Sequence, residues 1–169
     1  MLSAIIFVVF PFAMIYAAVS DMFTMTIANR VSLLLIVTFC AIAPFIGLTW
    51  MQFAMHLAAF ALVLTVTFGL FALGVMGGGD AKLMASTALW FGLGAGLMNY
   101  LLLATMAGGA LTLALLIFRK SPLATVAGEV RVLRRIIDEK DIPYGIALAI
   151  GGLGAFQHSP AMIWALSQA

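Results

Sequence analysis

The chain has 169 residues, 65% of them hydrophobic and 8% charged, with a mean hydropathy of +1.22. Soluble domains average about 45–50% apolar and about 25% charged residues, so this composition disfavours an ordinary soluble enzyme, a disordered chain and a nucleic-acid binder. The lone Cys40 excludes an internal disulfide framework and a cysteine-rich zinc site.

Every Asp, Glu, Lys and Arg falls within three windows, 21–30, 80–82 and 119–141. Four charge-free stretches remain, and a helix needs about 20 mostly apolar residues to cross a bilayer. Residues 1–20 suit one crossing and read as a retained span, because the basic region of a signal peptide is missing. Residues 31–79 suit two crossings with a turn near 47–52, where Trp50 fits the membrane interface. Pro11 and Pro44 are expected inside spans. Residues 83–118 suit two short helices of about 16 residues, turning within Gly92–Asn99. In 119–141, Val126, Val130, Leu133 and Ile137 recur at helical spacing opposite Arg131, Arg134, Arg135 and Asp138, which predicts an amphipathic helix on the membrane surface. Residues 142–169 supply a last crossing. The expected fold is therefore one all-α domain, 1–169, a polytopic membrane protein with about six transmembrane helices. That number places every cation on one side, so the positive-inside rule makes the charged loops cytoplasmic and leaves both termini outside.

Two acids stand at span boundaries on the same expected membrane edge, Asp21 at the end of the first span and Asp80 at the start of the fourth. Two carboxylates meeting there would share one proton, leaving one as a base toward water and the other as an acid. The plainer reading of each is a boundary charge. Asp80 follows Gly77-Gly78-Gly79, which either forms an ordinary turn or lets a chain pass close beside the acid. Lys82 is either a positive-inside anchor or part of the site. Asn29 either caps the second helix or orders the Asp21 loop. His56 and His158 read as structural, and no His, Cys and carboxylate pattern indicates a metal. Gly69, Gly74, Gly108 and Gly109 are expected at close helix approaches.

Three segments carry a family resemblance. Gly77-x-Gly79-Asp80-x-Lys82 resembles the second catalytic motif of type IV prepilin peptidases, membrane aspartic proteases of the GxGD group. Asp21, followed by Ile27-Ala28-Asn29, is similar to the first motif, with Ala28 where the family usually has Pro and without its basic residues at Phe23 and Met25. Pro143-Tyr144-Gly145 resembles a third segment at the start of the last span. The cysteine-rich zinc-binding insertion of the larger, methylating members is missing, which resembles the short CpaA/TadV-like branch associated with tight-adherence (Flp) pili.

The resemblance implies an aspartic endopeptidase without metal or organic cofactor, with Asp21 and Asp80 as its catalytic pair. It would remove the basic leader from prepilins, ahead of their apolar helix, at the cytoplasmic face of the bacterial inner membrane. The lipid bilayer and pilus-assembly machinery would be its other partners. A non-enzymatic transporter or assembly scaffold, using the same acids to bind protons or cations, is the competing reading.

Overall fold

Uninterrupted apolar sequence folds first into a single long helix, α1 (Leu2–Thr24), which runs through Pro11. A polar turn ends it. The Met25 N–H returns to the Asp21 carbonyl at 2.8 Å with Met25 left-handed, and the Ser20 hydroxyl donates to the Thr26 carbonyl at 3.0 Å. The computed structural model describes residues 1–121 and 142–168, so residues 122–141 of the expected amphipathic segment lie outside the described residues.

All regular structure among the described residues is helical. After α1 come α2 (Asn29–Ile42), α3 (Trp50–Ala72), α4 (Gly78–Phe91), α5 (Ala95–Arg119), α6 (Tyr144–Phe156) and α7 (Pro160–Ser167). Local chemistry explains several boundaries. Thr49 and Gln52 form a reciprocal capping box at the start of α3. Ser159 caps α7, with Pro160 in the first turn. Helix α2 ends at Ile42, so Pro44 lies beyond it rather than inside a span, as expected where a proline cannot continue the hydrogen-bond ladder.

The stretch expected to divide into two nearly equal helices divides unevenly. Helix α4 begins at Gly78, just before the charged window, and stops at Gly92, whose φ of 67° is left-handed, which leaves α5 with 25 residues. Three helices, α1, α3 and α5, are long and apolar enough to cross a membrane, and α6 with α7 makes a fourth if that pair, bent by 45°, is one span. Helices α2 and α4 have 14 residues each, or about 21 Å of helix against about 30 Å of hydrocarbon.

Between the three long helices and α4, hydropathy and burial run in opposite directions. Only 28, 22 and 11% of the apolar windows of α1, α3 and α5 are buried, so these helices turn most of their surface outward. The less apolar α4 packs against α2, α3, α5, α6 and α7 and is buried continuously from Ala85 to Phe91. Lipid explains the inversion: an apolar helix needs no protein neighbour to hide from water, and the polar Ser86 and Thr87 do.

At the end opposite Asp21 the core is aromatic. Phe10 stacks on Phe156 at 4.2 Å and lies 5.0 Å from Trp90, whose indole N–H donates to the Leu35 carbonyl at 3.2 Å. Buried His56 stacks near Phe39, and its Nδ1 lies 2.7 Å from the Leu89 carbonyl, joining the start of α3 to the end of α4. His158 is exposed beside Gln157.

Close helix approaches fall on other glycines than most of those expected. Gly69 and Gly109 face open space, and Gly74 serves a left-handed turn; among these four only Gly108 is a contact, with the Tyr144 ring crossing it. The closest approach to another helix's backbone is at Gly151, where a Cβ would stand 2.6–2.7 Å from the backbone N and Cα of Ala104. Replacing Gly151 by Ala should therefore force α5 and α6 apart and cost about 1–3 kcal/mol. Gly109→Ala, the same change in open space on α5, should cost nothing. Thermal unfolding in detergent reads the difference, and equal midpoints for the two variants would contradict the packing.

Candidate active site

Asp21 stands in the last turn of α1, 5% exposed, and its carboxylate faces α6 rather than solvent. Its Oδ2 accepts the Gly145 N–H at 2.7 Å. That donor belongs to the first turn of α6, where backbone N–H groups have no helical partner and the helix dipole favours negative charge. Pro143 occupies the N-cap position. Glycine at 145 is a steric requirement: a Cβ would lie 2.9 Å from both the Cβ and the Oδ2 of Asp21. Tyr144, beside it, reaches across Gly108 of α5. The Pro143-Tyr144-Gly145 segment thus delivers one hydrogen-bond donor to one acid and braces that donor against α5.

Asp80 is the third residue of α4, with Gly77 as N-cap. The acid itself is therefore not the cap. Its carboxylate folds back over Gly77, whose backbone N–H interacts with it, and a Cβ on Gly77 would meet Oδ2 at 2.8 Å. Among the described residues Oδ1 is buried without a hydrogen-bond partner, as is the hydroxyl of Tyr100 on α5. Asp80 lies outside the three long apolar helices. Burial, and then the charge of Asp21, push its carboxyl up to about 7, against the opposing pull of the Gly77 N–H. The two acids are thus close enough to act on each other's ionisation, the condition under which a pair titrates together.

The loops carrying the acids meet directly. A Cβ on Gly79 would stand 3.1 Å from the Ile27 Cβ and 3.4 Å from its N and O, so Gly79 admits the α1–α2 connection. Gly78 faces the exposed ring of Phe71. Lys82 Nζ donates to Asn29 Oδ1 at 3.0 Å. Asn29 is the first residue of α2 and not its cap; Ala28 holds that position without a side-chain cap bond. Its φ of −65° is the angle proline would impose, so Ala28 keeps the backbone geometry of the family's Pro.

The structure thus gathers Asp21, Asp80, Gly77, Gly79, Lys82, Asn29, Pro143, Tyr144 and Gly145 at one end of the helices. Ile27 belongs with them, since its backbone forms the wall against Gly79. Tyr100 is the residue that sequence reasoning misses. Its one signal is a phenol inside a charge-free stretch, and its hydroxyl neighbours Thr87, on the same helix as Asp80. Among the described residues no group of three or more His, Cys, Asp or Glu side chains is placed to hold a metal ion.

The sequence profile of the type IV leader peptidase family matches residues 8–116, a span that includes Asp21, Asn29, the three glycines, Asp80 and Lys82. No curated protein and no solved structure matches the chain. The match runs from α1 almost to the end of α5 and so takes in both helices that carry the acids, and the chain belongs to the type IV leader peptidase family.

Proposed function

We propose that the protein is a membrane-embedded aspartic endopeptidase in which Asp21 and Asp80 together activate a water. The observation that carries this reading is the electrostatic coupling of two acids from distant helices, one held by a backbone N–H and the other presenting a buried oxygen with no partner among the described residues. Asp80 keeps its proton up to neutral pH and serves as the acid. Asp21, whose Oδ2 already accepts the Gly145 N–H, serves as the base. Water gives a proton to Asp21 as it adds to the scissile carbonyl, and Asp80 protonates the carbonyl oxygen. Collapse of the tetrahedral intermediate breaks the C–N bond, the amine leaves with the proton that Asp21 had taken, and the hydroxyl that becomes the new carbonyl returns its proton to Asp80.

The substrate in this reading is a Flp-type prepilin, cut between its basic leader and its apolar helix, as expected for the short CpaA/TadV-like branch. The reading includes six crossings, with α2 and the part of α4 beyond Lys82 reaching across as short helices among longer ones, Asp80 at the membrane surface, and α6–α7 as a bent span. Cations confined to the charged windows support a cytoplasmic location for the acid end, at the bacterial inner membrane, with both termini outside. Family membership favours a peptidase over a transporter or scaffold.

Replacing Asp21 or Asp80 by Asn should reduce leader removal by at least about a hundredfold while the protein stays inserted, since a carboxamide neither takes nor supplies the proton. Intact-mass measurement of a co-expressed prepilin reads the outcome, and cleavage at the parental rate in either variant would remove that acid from the mechanism.

The pH profile follows from Asp80. Its carboxyl is raised, so the protonated form persists to about 7 and is lost above it. Cleavage by purified enzyme should fall as pH rises through 7 to 9, approaching about tenfold per pH unit. A rate that keeps rising across that interval would contradict Asp80 as the acid.

A further inference from the structure

Asp21 and Asp80 are anchored differently. Asp21 is fastened to a second helix by the Gly145 N–H, whereas Asp80 interacts with the N-cap of its own helix and its Oδ1 has no partner among the described residues. The separation of the acids must then be set by how the start of α4 is held against the α1–α2 connection. Among the described residues two contacts beside the acids do this. Gly79 packs against Ile27, which limits how near the segments come but, being apolar, gives little direction. Lys82 Nζ donates to Asn29 Oδ1 at 3.0 Å, a directional bond between residues 53 positions apart. Lys82 is two residues past Asp80, and Asn29 is the first residue of the helix that follows the Asp21 loop.

The Asn29 side chain is available for this bond because it does not cap its own helix; Ala28 occupies the cap position. Asn is a mediocre helix former at such an exposed site, so its presence needs another reason, and the bond to Lys82 supplies one. The long stem of Lys82 spans the gap between the helices while its charged head stays at the polar boundary.

We propose that Lys82 is a positioning residue: by holding Asn29 it locks the start of α2 to the first turn of α4 and so sets the geometry of the Asp21–Asp80 pair. This rests on the acid-pair reading above. Misplacing a reacting group by about 1 Å can cost up to about a hundredfold in rate, so losing one of two restraints should be felt in kcat and not in substrate affinity.

The test measures kcat and KM of purified enzyme on a purified prepilin with a basic leader. The variants are Lys82→Met, Asn29→Leu, their double mutant, the exchanged pair Asn29→Lys with Lys82→Asn, and Asn29→Asp, which keeps the acceptor. Each apolar single variant should lower kcat about tenfold with KM within about twofold of the parent. The double mutant should be no slower than the slower single variant, since both remove one bond. The exchanged pair should regain at least about half of the parental kcat. Asn29→Asp should stay near the parent, and it keeps the proposal testable if Asn29→Leu fails to insert. Multiplied losses in the double mutant, a raised KM with kcat intact, parental kcat in Lys82→Met, or an inactive Asn29→Asp would each overturn the lock. Asp80→Asn, run alongside, separates the two claims. If it is inactive while Lys82→Met is fully active, the lock alone fails; if it still cleaves, the acid-pair reading fails.

Discussion

One buried hydrogen bond organises the acid end of the molecule: the Gly145 N–H to the Asp21 carboxylate, at 2.7 Å and across 124 positions of sequence. A buried carboxylate without donors is costly, and a helix start without acceptors wastes its free N–H groups. Each solves the other's problem. The remaining geometry follows from that pairing. Gly145 can bear no side chain, Pro143 starts α6 at the right place, and Tyr144 crosses Gly108 so that α5 braces the helix start. With α1 and α6 joined, α4 fits among them and brings Asp80 within electrostatic reach.

The acids are legible in the sequence because charge is so scarce there. In a chain this apolar, an Asp at a span boundary is conspicuous, and three glycines before a second one mark the place where backbones crowd. The family is legible on the same residues, Gly77, Gly79 and Asp80 with Asp21 and Asn29. What each residue touches is not. Asn29 reads equally well as a cap until the backbone shows Ala28 in that position. Gly69 and Gly109 look like packing glycines as much as Gly151 does, since composition carries no information about which side of a helix meets a neighbour.

Helix lengths are harder to read than helix existence, for a physical reason. Hydropathy measures how comfortable a segment is in lipid, and the segment at the centre of the bundle is not in lipid. Helix α4, the most enclosed, is short, carries Ser86 and Thr87 in its core and holds a charged window in its first turns. The turn falls at the start of the expected Gly92–Asn99, so what the even division of residues 83–118 misjudges is the two helix lengths. Tyr100 escapes notice for a related reason. One phenol among leucines looks interfacial, and only its full burial near Thr87 marks it as interior.

The low apolarity of α4 bears on how the protein enters the membrane. A 14-residue helix with buried hydroxyls and an acid in its first turn has little affinity of its own for hydrocarbon. The flanking α3 and α5 have ample affinity, and the links to them, residues 73–77 and 92–94, are short. During synthesis α4 is therefore carried in as cargo between two strongly inserting neighbours. The tolerance of this protein to polar changes is accordingly set by its outer helices. A substitution on the lipid-facing side of α3, remote from either acid, strikes at the delivery of Asp80 itself.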